Sequence, residues 1–146
     1  MAGSLAQSSV QTRNNQLITW IVSLVWTTDS NGVFTGTVLN SDIYKKISGS
    51  YLFRVKTIPG TSSLEPSSTY TVTLVDADGY DVLGGVGATR SRTAIEAAIP
   101  KQDTANAIYG AVLIGESNSD SLTLNVSGPG NSVQGKVKLY LTAAGD

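Results

Sequence analysis

An alternation of polar and apolar residues is clearest over residues 69–85, which read TYTVTLVDADGYDVLGG. Tyr70, Val72 and Leu74 fall on one side of an extended chain and threonines fall on the other, because successive side chains of a strand point to opposite faces. The Asp78-Gly79 pair then supplies residues that tolerate the positive φ angles of a tight reversal. The pattern predicts a β-hairpin with one face in water.

Residues 17–26 form the longest apolar run, and both sides of the predicted strand are apolar. One side carries Ile21 and Val25. The other side carries Trp20, Val22, Leu24 and Trp26. A strand of this kind is typically covered on both faces, so we expect it at the centre of a sheet or under a partner. An Asn-Gly pair follows before a second apolar stretch at 33–39, so the first two strands are predicted to pair as a hairpin.

Four further strands are predicted from the same periodicity. The first covers residues 51–56 and ends at a Pro-Gly pair, where proline removes the donor that another ladder bond would need. Later signals lie at residues 111–114, 122–126 and 133–141. A glycine- and proline-containing turn, SGPGN, is predicted to join the last two as a hairpin.

A short helical excursion is predicted near residues 91–99, where Thr93 and Glu96 have the spacing of a capping box and Pro100 ends the segment. The chain then has about seven or eight strands separated by turn residues. A single sheet of that length would leave a large apolar face uncovered. We therefore expect an all-β fold, either an antiparallel β-sandwich or a jelly-roll-like arrangement.

The domain organisation follows from length and from the polarity of the first residues. With 146 residues the chain can form one domain with a hydrophobic core. Residues 1–15 are mostly polar and are predicted to be a flexible N-terminal arm, with residues 16–146 as a single β-sandwich domain. The first residues lack the pattern of a signal peptide, and no apolar run approaches the roughly twenty residues of a membrane-spanning helix.

The composition excludes several kinds of chemistry. The chain has no cysteine and no histidine, so disulfides, thiolate ligands and the most usual general base are missing. The glutamates show no pairing beside an aromatic platform that would indicate a glycosidase. We therefore expect a protein that is not an enzyme and uses no cofactor. Ten basic and eleven acidic residues nearly cancel, which argues against a nucleic-acid partner.

The best candidate for a metal site is the segment DADGYD, whose Asp76, Asp78 and Asp81 could supply the oxygen ligands that calcium prefers. The segment does not match an EF-hand loop, because its glycine comes too early and no glutamate closes it. Aspartates also stabilise turns by accepting hydrogen bonds from nearby backbone N–H groups. Turn chemistry is the favoured interpretation, and a calcium site is the alternative.

Four segments together resemble a group of small structural proteins from the virions of tailed bacteriophages. They are LFRVKTIPG at 52–60, YTVTLVDADGYDVLGG at 70–85, LTLNVS at 122–127 and GKVKLYL at 135–141. The resemblance extends over residues 20–141 and rests on strand and turn patterns rather than on catalytic residues. It implies a β-sandwich subunit of the particle, in the first place a decoration or cement protein that binds and stabilises the capsid.

The same resemblance implies the partners and the location of the protein. The partners would be the phage major capsid protein and further copies of this chain, forming a homo-oligomer on the particle, with no nucleic acid or membrane bound. The chain would be made in the bacterial cytoplasm and end in the virion. We expect the interface to use Ile21 and Val25 on the first strand and Val10 and Arg13 in the arm.

The alternative function is a receptor- or glycan-binding module associated with the tail, the neck or a fibre. Such a module needs an exposed aromatic ring beside polar loop groups. The candidates in this sequence are Tyr44, Tyr80 and Tyr109.

Overall fold

The computed structural model describes residues 3–14, 17–103, 108–115 and 121–143. Within these ranges the chain forms eleven strands, one α-helix and one turn of 3-10 helix at Ser62–Leu64. The strands and the helix are β1 (Ser4–Asn14), β2 (Leu17–Thr27), β3 (Thr37–Val38), α1 (Ser41–Ile47), β4 (Ser50–Pro59), β5 (Thr71–Val75), β6 (Glu96–Ala98), β7 (Lys101–Asp103), β8 (Ile108–Tyr109), β9 (Val112–Leu113), β10 (Thr123–Ser127) and β11 (Gln134–Ala143).

The strands form three antiparallel sheets. The largest has the order β1-β2-β11-β4-β6, and β9 also pairs with β4. The second has the order β3-β10-β5, while β7 and β8 pair with each other. The prediction of an all-β antiparallel fold is confirmed. The described residues hold more strands than the seven or eight expected, because several are only two or three residues long.

The two larger sheets face each other across one hydrophobic core. Alternate residues of each strand point into this core, which is the period of two that the sequence displays. The rings of Trp26 and Tyr70, from opposite sides, meet edge to face with centroids 5.2 Å apart. The buried residues of the central strands are Val22, Leu24 and Trp26 in β2, Val137, Leu139 and Leu141 in β11, Val72 and Leu74 in β5, and Leu124 and Val126 in β10.

Two hydrogen-bonding groups in this core have no partner among the described residues, the Trp26 indole N–H and the Tyr70 hydroxyl. Tyr70 is only 1% exposed. Burial raises the pKa of its phenol from the ordinary value of a tyrosine. The folded state therefore favours the neutral phenol.

Replacing Tyr70 with phenylalanine is expected to raise the free energy of unfolding by about 1 kcal/mol at neutral pH, because it removes a buried hydroxyl that makes no hydrogen bond. A phenol with a raised pKa stabilises the fold fully below the pKa of the unfolded chain, and this contribution is lost as pH rises through the folded pKa. Tyr70→Phe should therefore also flatten the loss of stability above pH 10. Denaturant unfolding at neutral and alkaline pH tests both effects. A variant no more stable than wild type at neutral pH would contradict the first effect. An equal loss of the free energy of unfolding in both proteins as the pH rises above about 10 would contradict the second.

Two predicted hairpins are wrong, and strand neighbours explain why. β2 has β1 on one edge and β11 on the other, so the chain after Thr27 has no free edge of β2 to pair with. It turns at residues 29–33 and crosses to β3 in the second sheet. In the same way β11 lies between β2 and β4, so the SGPGN segment crosses between sheets instead of closing a hairpin with β10.

The predicted helix near residues 91–99 is also wrong. Ser91 Oγ accepts hydrogen bonds from the N–H groups of Thr93 and Ala94, and Glu96 Oε1 accepts one from the N–H of Ser91. These polar groups close a compact turn rather than start a helix. Glu96–Ala98 then pairs with β4 as strand β6, because the edge of β4 offers ladder partners there. The helix of this fold is α1, whose Ile43, Tyr44 and Ile47 are buried.

Residues 4–14 do not form a separate arm. All eleven residues of β1 pair with β2 as a long hairpin. The Gln7 side chain also ties β1 to the β3–α1 connection, since its Nε2 donates to the Val38 carbonyl and its Oε1 accepts from the Asn40 N–H at 2.7 Å. The predicted boundary after residue 15 therefore falls between two strands of one hairpin.

Candidate interaction surface

The six-stranded sheet has a second face, directed away from the core, which we call the outer face. Its residues alternate with the core-facing ones along β1, β2, β11 and β4. On β2 these residues include Ile21 and Val25, and both side chains are only partly covered in the described chain. The sequence predicts that this strand is apolar on both sides. Its second apolar side is the partly exposed row of Ile21 and Val25 on the outer face.

Three of the four residues expected at an interface lie together on the outer face. Val10 is directly opposite Ile21 across the β1–β2 ladder and is 59% exposed. Val25 lies four residues along β2, on the same face, between Ala6 and Lys136 of the neighbouring strands. Arg13 does not join them, because it pairs with Ile18 and belongs to the opposite face of the sheet.

Strand β1 is an edge of the sheet. In the described chain it pairs with β2 alone, so the backbone N–H and C=O groups of its other edge have no strand partner. Proteins usually protect such edges with charges, proline or bulges. β1 has eleven residues in unbroken register, no proline and a single charged residue, Arg13. It is therefore well suited to accept an added strand.

Lysine and arginine side chains occupy the middle of the outer face. Strand register places Lys138 of β11 opposite Lys56 of β4, while Lys136 lies opposite Ile58 and Arg54 lies opposite Tyr140. The ring of Tyr140 lies among them, with the Arg54 guanidinium 5.4 Å and the Lys56 ammonium 5.9 Å from its centroid. The sequence places two cations on each of these strands, but only the register of β4 with β11 brings the two pairs together.

A surface pocket of about 650 Å³ adjoins these cations. It lies where β4, β6 and β8 approach one another, and its wall is mostly apolar. The lining residues are Phe53, Arg54, Ala97, Ala98, Ile99 and Tyr109. A β-bulge in β4 between the pairs Tyr140/Arg54 and Leu141/Leu52 leaves Phe53 without a partner residue on β11. Sequence reasoning missed this pocket, because neither the bulge nor β6 was predicted.

The three aspartates of the calcium hypothesis lie around the turn that follows β5. Asp76 Oδ1 accepts hydrogen bonds from the N–H groups of Asp78 and Tyr80 at 3.0 Å. Asp81 accepts three, from Leu74 and Leu83 on Oδ1 and from Gly85 on Oδ2. Within the described ranges no group of acidic residues is arranged to hold a metal ion. The geometry favours turn chemistry for Asp76 and Asp81.

The hairpin predicted at residues 69–85 forms only in its first part. β5 runs to Val75, which bridges to Asp81 across the turn. The Val82 N–H donates to the Leu74 carbonyl, and the chain then passes through successive turns instead of a second strand. Gly87 explains why these turns pack so closely, since a Cβ there would lie 2.1 Å from the Val72 carbonyl oxygen.

Of the three tyrosines expected for a glycan site, one is buried and two are exposed. Tyr44 is 5% exposed and forms part of the core, so it cannot present a stacking ring. Tyr80 is exposed beside the aspartate turn, and Tyr109 is 58% exposed at the pocket. These two rings therefore remain available to a ligand.

Comparison with protein-family models gives no match, and comparisons with curated proteins and with solved structures give none either. No helix in the described parts of the chain is long and apolar enough to cross a membrane.

Proposed function

We propose that the protein is a non-enzymatic structural subunit of a tailed-phage particle, a decoration or cement protein that binds the head. The observation that carries this proposal is the apolar row of Val10, Ile21 and Val25 beside the unpaired edge of β1. A lattice of identical subunits makes such a modest surface sufficient, because symmetry repeats one contact many times. The partners are the major capsid protein and neighbouring copies of this chain.

The edge of β1 offers a specific way to bind. An extended segment of a neighbouring subunit can add to it as a further strand, with main-chain hydrogen bonds supplying affinity. The outward side chain of Val10 would then contact alternate side chains of the added strand. This assigns the N-terminal residues an interface role within the sheet, rather than the role of a free arm.

The experiment is reconstitution of the purified protein onto particles that lack it, followed by cryo-electron microscopy. We expect added density at regular positions on the capsid lattice. The double variant Val10→Ser/Ile21→Ser should reduce occupancy about tenfold, as loss of central interface residues does. The matched control is Leu64→Ser/Ile95→Ser, which changes two exposed apolar residues that lie outside the strands and should leave occupancy unchanged.

The location of the density decides between related roles. Density confined to the vertex or the tail would reject the decoration role in favour of a neck or fibre component. Absence of density from every part of the particle would reject the phage role. Equal loss of occupancy in both double variants would mean that the outer face is not the contact.

The second candidate, a receptor- or glycan-binding module on the tail, neck or fibre, is favoured by one observation. Tyr109 is exposed at the wall of the pocket, with the Lys101 ammonium 5.2 Å from its ring centroid. An aromatic ring beside a cation and an apolar wall is a common arrangement in small-ligand sites. A glycan array with wild type and Tyr109→Ala distinguishes this candidate, which requires binding that the variant loses.

A further inference from the structure

The arrangement of the cations on the outer face lowers the stability of the fold. Lys56 lies directly opposite Lys138 across the β4–β11 ladder, and like charges in that position destabilise a sheet. Arg54 and Lys136 lie one outward-facing position from this pair, on β4 and β11 respectively. The ion pairs of the described residues, Arg90 with Glu96 and Arg92 with Glu65, involve none of these four.

Among the residues that the structure describes, no acidic side chain balances these cations within the face. The described outward-facing residues of β1, β2, β11, β4, β6 and β9 include no aspartate and no glutamate. The chain as a whole carries eleven acidic and ten basic residues, so the positive face is a matter of placement and not of composition. A low-charge protein that concentrates cations on one flat surface favours an acidic counterpart through electrostatic complementarity.

The pocket adds an apolar anchor site beside the charge. Arg54 belongs both to the cation cluster and to the pocket wall, so the two features form one continuous surface. Ile99 and Tyr109 of the pocket are more than half exposed, which leaves apolar area for a partner to cover. Protein interfaces typically combine an apolar centre of this kind with arginine and aromatic residues and a polar rim.

We infer that the outer face binds an acidic segment of a partner protein, with carboxylates over Lys56 and Lys138 and one apolar side chain in the pocket. The inference deepens the proposed function and rests on it for the identity of the partner, a subunit of the particle shell. An acidic protein fits better than a nucleic acid, because phosphates would leave the pocket and the Val10, Ile21 and Val25 row without a role.

The test uses isotope-labelled full-length protein and NMR titration with a short peptide of glutamates surrounding one phenylalanine. We expect the amide signals of β4, β11 and the pocket to move, and the shifts to weaken as salt rises. A peptide with glutamine in place of glutamate should shift these signals far less. Titration with a double-stranded DNA oligonucleotide at the same salt is run in parallel, and tighter binding of DNA would overturn the inference in favour of a nucleic-acid surface.

The charge variant is Lys56→Gln/Lys138→Gln. It should weaken the Kd for the glutamate peptide about tenfold. Its Tm should be unchanged or higher, because the like-charge pair is gone. The matched control is Lys45→Gln/Lys46→Gln, which removes the same charge from α1 and should alter the Kd by less than about twofold. Equal peptide binding by wild type and the charge variant would overturn the inference.

A particle-binding experiment distinguishes failure of this inference from failure of the proposed function. If wild type and the charge variant add to particles equally at low salt, the inference fails while the structural role stands. If wild type does not add to particles but binds the glutamate peptide through β4 and β11, the phage role fails and the acidic-partner chemistry stands.

Discussion

Replacing Gly135 with alanine is expected to lower the free energy of unfolding by about 3 kcal/mol. Gly135 lies on β11 directly opposite Trp26 of β2, and the indole ring covers the glycine. A Cβ at residue 135 would lie 2.2 Å from Cζ2 and 2.6 Å from Cε2 of that ring. Trp26 is fully buried and packs against Tyr70, so the ring cannot move aside without disturbing the contact between the two sheets.

Urea unfolding followed by tryptophan fluorescence measures this effect. The control is Gly110→Ala, where the added methyl would meet only the end of the Gln102 side chain, at 3.3 Å. That side chain can shift, so the control should change stability by less than about 0.5 kcal/mol. If both alanine variants were equally stable, the close packing of Trp26 on Gly135 would be refuted.

Replacing Asp81 with alanine is expected to lower the free energy of unfolding by about 3 kcal/mol as well. The Asp81 carboxylate accepts hydrogen bonds from three backbone N–H groups, those of Leu74, Leu83 and Gly85. The two bonds on Oδ1 are partly buried. Alanine would leave these donors unsatisfied where water reaches them poorly, and the turns after β5 would lose the group that holds them together.

The control for this prediction lies in the same segment. Asp78 is exposed, and its carboxylate accepts no hydrogen bond from the described residues, so Asp78→Ala should change stability by less than about 0.5 kcal/mol. Thermal unfolding with calcium and with a chelator completes the experiment. A calcium site would instead make both variants lose a calcium-dependent rise in Tm, because a ligand that binds only the folded state stabilises it.

The aspartate turn shows how far local sequence information reaches. The residues that accept the backbone hydrogen bonds, Asp76 and Asp81, could be found from the chain because turn chemistry acts within a few residues. The helix predicted near residues 91–99 is wrong because it rests on local contacts alone. Ser91, Thr93 and Glu96 make local polar contacts that resemble a cap, but the free edge of β4 converts the following residues into a strand.

The sequence of helix α1 also contains a helical pattern. Ile43, Tyr44 and Ile47 have the spacing of one buried helical face. The segment has only seven residues, and a run this short is hard to distinguish from a turn by periodicity alone. Its formation depends on the core that it covers, because isolated helices of this length are not stable.

Part of the interaction surface could be predicted from the sequence, and part depends on strand pairing. Ile21 and Val25 could be recognised as a second apolar side of one strand, because side chains alternate along any strand. That Val10 joins them while Arg13 does not depends on the pairing of β1 with β2. Residues 4–14 form a strand and not the predicted arm, because an edge strand that faces water can be polar.

The sequence by itself determined the fold class, the alternation of side chains along β2 and β5, and the turn roles of the aspartates, because alternation and turn preferences are local properties of the chain. Only the tertiary structure decided which strands became neighbours, since pairing depends on which edges remain free after distant segments have met. That choice split two predicted hairpins between sheets and placed Lys56 opposite Lys138 beside the pocket. The charged surface is therefore a product of register, which no local pattern records.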